Sequence, residues 1–111
     1  MKSTSIIIST YNKPYFLEKV LTGYLCQIYK NFDIIIADDG STEKTRKIID
    51  HFRENTDLDI KHVWHKDNGF QKCTILNKAI EISESDYLIF TDGDCIPNQY
   101  FVKTHINIAK D

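Results

Sequence analysis

The chain has 111 residues, 41% hydrophobic and 27% charged, with 14 basic against 16 acidic residues and a formal charge of −2. Those figures describe one ordinary soluble domain with room for a single core, and without a basic excess they argue against nucleic acid or anionic membrane as partners. Cys26, Cys73 and Cys95 are odd in number and widely spaced, which fits neither a disulfide framework nor a zinc site; reduced, mostly buried thiols are expected.

Short β-branched runs alternate with longer segments of helical period, the pattern of parallel strands joined by crossover helices. Ser5 to Ser9 reads as the first strand, continuously apolar as in a sheet covered on both faces. Tyr11-Asn12-Lys13-Pro14 breaks it, and Pro14 suits the first turn of a helix. In that helix Phe16, Leu17, Val20, Leu21, Tyr24, Leu25 and Ile28 recur at intervals of three and four as an inward stripe. Phe32 to Ala37 is the second strand and runs into Asp38-Asp39-Gly40-Ser41-Thr42-Glu43. There Ser41 or Thr42 can cap a helix from about Thr42 to Glu54, with Ile48, Ile49 and Phe52 buried. Capping does not account for two adjacent acids at the carboxyl end of a strand, where open α/β sheets bind ligands.

Leu58 to His65 is a third strand of mixed pattern, nearer an edge, whose His62 and His65 fall on opposite faces and read as polar edge residues. After the loop Lys66-Asp67-Asn68-Gly69, the segment Phe70 to Ser83 carries Cys73, Ile75, Leu76, Ala79, Ile80 and Ile82 with helical spacing. The fourth strand, Tyr87 to Thr91, delivers Asp92-Gly93-Asp94 to a loop, and Pro97-Asn98 opens a last helix from Gln99 to Lys110 in which His105 is structural. No run is long enough for a membrane span or a signal peptide, which points to a cytoplasmic protein, or one peripheral to a membrane within a longer parent.

Asp-Gly-Asp alone is also an ordinary turn. As a site it has a clear electrostatic logic: carboxylates about 6 Å apart at an effective dielectric near 20 repel by about 3 kcal/mol, which a cation removes. Oxygen ligands around a glycine suit Mg²⁺ or Mn²⁺ shared with substrate phosphates. A strand order 3-2-1-4 would align Ser9-Thr10, Asp38-Asp39 and Asp92-Gly93-Asp94 along one sheet edge, with no Gly-rich phosphate cradle beside them.

Together, Ile6 to Lys13, Ile35 to Thr42, Asp67-Asn68-Gly69-Phe70 with Asn77-Lys78-Ala79-Ile80, and Asp92-Gly93-Asp94 resemble family 2 glycosyltransferases of the GT-A fold, a three-layer α/β sandwich with a mainly parallel sheet. The Gly69-Phe70 and Asp92 to Pro97 segments look most like galactosyltransferase-like and chondroitin-polymerase-like members. The resemblance implies an inverting, metal-dependent transfer of a hexosyl unit from a UDP-sugar to a saccharide acceptor, as in polysaccharide biosynthesis. It implies nucleotide contacts at Ser9, Thr10, Tyr11, Asn12, Asp39, Gln71, Asn77, Asp92 and Gly93, with Asp39 accepting from the base N–H, and a Mn²⁺ or Mg²⁺ site at Asp94 and Asp92. The Gln71 position is often basic in the family, and here Lys72 is adjacent. In the family the general base comes from well beyond the Asp-x-Asp motif, so the resemblance implies that residues 1–111 are the nucleotide-binding half of a transferase, truncated after that strand and one helix, with the base beyond Asp111. Two alternatives stand beside it: a module that binds nucleotide and metal without turnover, and a phosphoacceptor receiver domain, which would need a lysine at a late strand end.

Overall fold

A computed structural model of the chain describes residues 3–109. Four parallel strands, β1 (Thr4–Thr10), β2 (Asp33–Asp38), β3 (Ile60–Trp64) and β4 (Tyr87–Asp92), form one sheet in the order β3-β2-β1-β4, as the alternation of elements led us to expect. The helices are α1 (Pro14–Leu25), α2 (Glu43–Asn55), α3 (Lys72–Ile82) and α4 (Phe101–Ala109). The expected end of the last helix at Lys110 lies outside the described residues.

The continuous isoleucine runs make sense because the central strands are covered on both faces. Ile6, Ile8, Ile34 and Ile36 point to the face packed by α1, α2 and α4, where Leu17, Tyr24, Ile49, Phe52, Val102 and Ile106 complete the larger core. Ile7, Ile35 and Ala37 point the other way, against Ile75 and Ala79 of α3. The chain steps outward from β1 to β3 with helices on one face, then crosses to the far side of β1 with α3 on the other. That change of face is what uniformly handed crossovers require when the direction of winding reverses. The reversal falls between β1 and β4, and ligands of open α/β sheets bind at such a point.

Several local expectations are corrected. Phe16 is 50% exposed and Ile28 48% exposed: α1 stops at Leu25, and its inward face is set by Leu17, Val20, Leu21 and Tyr24, so Phe16 falls to the side. Beyond α1, the buried Gln27 donates to the backbone carbonyls of Gly23 and Asn98 and accepts from the Val102 N–H, tying the end of α1 to the start of α4. Ile80 and Ile82 of α3 are also exposed, because among the described residues α3 is the helix on its face of the sheet and one stripe of it touches strands. All three cysteines are free but exposed rather than buried: Cys26 follows α1, Cys73 lies on the outer side of α3 and Cys95 lies in the turn after β4. Thr42 takes the capping position of α2 without a side-chain bond to the helix. Ser41 Oγ instead accepts from the Asn12 N–H, and Asn12 Oδ1 accepts from the Thr42 N–H.

Candidate functional site

Register alone brings the polar strand ends together. Ser9 lies opposite Ala37 of β2 and Asp92 of β4, and Thr10 opposite Asp38. The ladder extends one step further on each side, with Asp39 N–H donating to the Thr10 carbonyl at 3.0 Å and Gly93 N–H to the Ser9 carbonyl at 2.7 Å. Asp39 and Asp92 are thereby fixed on either side of the end of β1. A Cβ on Gly93 would stand 3.0 Å from Thr10 Cβ and Oγ1, so the close approach of the β4 loop to β1 suits glycine.

Beyond these ends lies a cavity of about 450 Å³, within the size range of small-ligand sites. Its floor is Ser9, Thr10, Ala37 and Ile75; Asp39 and Asp67 stand on one side, Asp92, Gly93 and Asp94 on the other, with Tyr11, Phe70, Lys13 and Lys72 around the mouth. Of the residues singled out from sequence, Ser9, Thr10, Tyr11, Asp39, Asp92, Gly93 and Asp94 line it. Asn12, Gln71 and Asn77 do not. Asn12, left-handed at φ 48°, clips the β1 and β2 loops together, the Gln71 backbone supports Asp39, and Asn77 lies exposed on α3.

The acids differ in their settings. Asp38 is buried, accepting from the Ser41 N–H and from His62 Nε2 at 2.8 Å, a structural arrangement. Asp39 accepts from His65 Nε2 at 2.6 Å on Oδ1 and from the Gln71 N–H at 2.9 Å on Oδ2, so its carboxylate is held at a set angle to the cavity. His62 and His65, expected as plain edge residues, are therefore the partners of the acid pair, their side chains only 9% and 14% exposed. Asp67 accepts from the Tyr11 hydroxyl at 2.7 Å, and this carboxylate raises the Tyr11 phenol above its ordinary value.

Asp92 accepts from Ser9 Oγ at 2.7 Å and from Lys72 Nζ at 3.0 Å. The hydroxyl and then the ammonium hold its carboxyl below the usual range. Asp94 accepts from Lys13 Nζ at 3.2 Å. Carboxylate oxygens of Asp92 and Asp94 and the sulfur of Cys95 lie within 4.8 Å of one another, close enough to converge on a single ion. Two carboxylates in an open site are the donor chemistry that a hard divalent cation prefers, with ligand oxygens left to fill its other positions. Thr10 Oγ1 is buried beneath the close approach of Gly93 and makes no hydrogen bond among the described residues.

Lys13 and Lys72 at the carboxylate pair, His65 behind Asp39 and Asp67 behind Tyr11 were not legible as a site from sequence. The signals available were Lys13 beside the first strand end, Asp67 within the Asp67 to Phe70 motif and Lys72 beside Gln71. No helix among the described residues is long and apolar enough to cross a membrane.

The comparisons agree with this fold. The chain is 35% identical over 107 residues to a chondroitin synthase of Escherichia coli, covering 94% of this chain and 15% of that protein. Its fold matches a mannosyltransferase from Pyrobaculum calidifontis, solved with GDP-Man and Mn²⁺, at a TM-score of 0.88 and 21% identity over 99% of this chain and 33% of that one. It matches S. aureus TarS, solved with UDP-GlcNAc, at a TM-score of 0.75 and 25% identity over 96% of this chain and 30% of that one. The chain thus spans a small part of the synthase it resembles and about a third of these two solved proteins, with the four-stranded sheet of GT-A glycosyltransferases. With the family profile matching residues 5–111, the chain belongs to glycosyl transferase family 2.

Proposed function

We propose that this chain is the donor-binding half of an inverting glycosyltransferase that moves a hexosyl unit from a UDP-sugar to a saccharide acceptor, with Mn²⁺ or Mg²⁺ at Asp94 and Asp92. The observation that carries the reading is the convergence of three strand ends on one cavity, with a positioned acceptor carboxylate on one side and a metal-competent pair on the other.

Asp39, oriented by His65 and the Gln71 N–H, accepts from the N–H of the base, and the exposed rings of Tyr11 and Phe70 flank the entrance. The end of β1 lies beneath the nucleotide, while Ser9 holds Asp92 in place. Asp94 and Asp92 would hold the divalent ion, which would supply Lewis-acid stabilisation of the charge developing on the departing diphosphate. Direct attack by the acceptor hydroxyl requires a general base. In this reading Asp39, Asp92 and Asp94 are taken up by base and ion and Asp67 accepts from Tyr11, and we place the general base outside the described residues, as the likeness to the family implies.

Calorimetry tests the assignment. Asp94→Asn should abolish Mn²⁺-dependent UDP binding while leaving the circular dichroism spectrum unchanged, and unaltered affinity would overturn the metal role. Asp39→Ala should erase the preference for uridine over cytidine nucleotides. A native chain that prefers GDP to UDP would keep the donor-site reading and overturn the choice of base.

A further inference from the structure

Both members of the carboxylate pair already carry an ammonium group, and the two ammoniums come from opposite walls of the cavity. Lys13, at the start of α1, places Nζ 3.2 Å from Asp94 Oδ2; Lys72, the first residue of α3, places Nζ 3.0 Å from Asp92 Oδ1. The other two carboxylates of the cavity do not compete for them, since Asp39 is engaged by His65 and the Gln71 N–H, and Asp67 by Tyr11 and the Gly69 N–H. Both lysine side chains are about half exposed, at 54% and 41%, so their stems can swing across the mouth at little packing cost.

We propose that Lys13 and Lys72 are exchangeable internal counter-ions: they neutralise Asp94 and Asp92 before ligand arrives and move to the diphosphate oxygens when a nucleoside diphosphate enters with a divalent cation. The inference rests on the donor-site reading above. Its basis is charge balance. Two carboxylates and two ammoniums sum to zero, a divalent cation alone would leave the set with an excess of positive charge, and a diphosphate alone would leave it negative. Only the two together keep the site near neutrality, with the carboxylates on the cation and the ammoniums on phosphate, where lysine serves well as a point charge. Cation and nucleotide are consequently coupled, each raising the affinity for the other by the same factor. The lysines discriminate nucleoside diphosphates from bare divalent ions, a task the Asp-x-Asp pair alone does not perform.

The test measures two affinities on the 111-residue chain: Mn²⁺ alone, from the paramagnetic resonance of the free ion, and UDP at saturating Mn²⁺, by calorimetry. In the native chain Mn²⁺ should tighten UDP by at least about fivefold. Lys13→Met and Lys72→Met keep the stem and remove the charge. Each should strengthen binding of Mn²⁺ alone by about threefold, the scale of an exposed ion pair, and weaken UDP with Mn²⁺ by about tenfold or more. Lys72→Arg should restore the UDP affinity. These opposite signs separate a counter-ion exchange from an ordinary surface ion pair, which would leave UDP affinity unmoved. Unchanged or weaker binding of Mn²⁺ alone in both Met variants, while the native chain binds UDP, overturns this inference and spares the donor reading. A native chain that binds neither UDP nor GDP with Mn²⁺ overturns both.

Discussion

Ser9 shows how one hydroxyl near the end of a strand sets the chemistry of the next strand over. The hydrogen bond from its Oγ is the largest single cause of the lowered Asp92 carboxyl, with the Lys72 ammonium acting in the same sense and burial in the opposite one. Removing it in Ser9→Ala should move the Asp92 titration midpoint up toward the ordinary carboxylate value, read by ¹³C resonance of the carboxyl carbon as pH is lowered. Because the folded-state value lies below the unfolded one, Asp92 contributes stability that is present above the ordinary value of 3.8 and is lost as pH falls through the folded-state value. With the Asp92 side chain 52% exposed, water screens the interaction and Ser9→Ala should cost less than about 1 kcal/mol at neutral pH. A midpoint that stays put would show that Ser9 does not tune the acid.

At the scale of the elements, the loops that frame the cavity are held by one crossing of backbones. Gly40, at φ +91°, follows the acid pair of β2, and a Cβ there would stand 2.5 Å from Asp67 Cα. The Asp67 loop that carries the acceptor for Tyr11 thus rests directly on the β2 turn. Gly69 is also left-handed, at φ +75°, but a Cβ on it would meet open space. The two glycines should therefore part company on substitution. Gly40→Ala should cost about 3 kcal/mol or more in urea unfolding, from strain and overlap together. Gly69→Ala should cost about 1–2 kcal/mol, from the backbone conformation alone. Equal costs would mean that the Asp67 loop yields freely and does not brace the site.

For the molecule as a whole, a ligand that binds only the folded chain raises its stability by mass action. UDP with Mn²⁺ at a hundred times its Kd should add about 2.7 kcal/mol, which for a domain of this size moves Tm by on the order of 10 °C. Neither component alone should approach that shift, and Asp94→Asn should remove it. A scan in which Mn²⁺ alone gives the full shift would contradict the coupling of the two ligands.

Periodicity and strand-end chemistry carry much of this in the primary sequence. The isoleucine runs of β1 and β2 specify strands buried on both faces, the alternation with helical segments specifies a parallel sheet, and Asp38-Asp39 and Asp92-Gly93-Asp94 mark its carboxyl edge as the place for chemistry. The element order, the strand order and the gathering of Ser9 to Tyr11, Asp39 and Asp92 to Asp94 in one cavity were all legible at that level. What only the tertiary structure decided is how polar groups are shared across elements. It paired His62 and His65 with the acid pair, diverted Ser41 and Asn12 from capping and binding to clipping loops together, turned the cysteines outward, and brought Lys13 and Lys72 onto the carboxylates. The physical reason is the range of the interactions. Hydrophobic period repeats every few residues along one element and can be read locally, whereas a hydrogen bond or ion pair between residues 20 to 81 positions apart depends on register and crossover geometry that exist only once the sheet has formed.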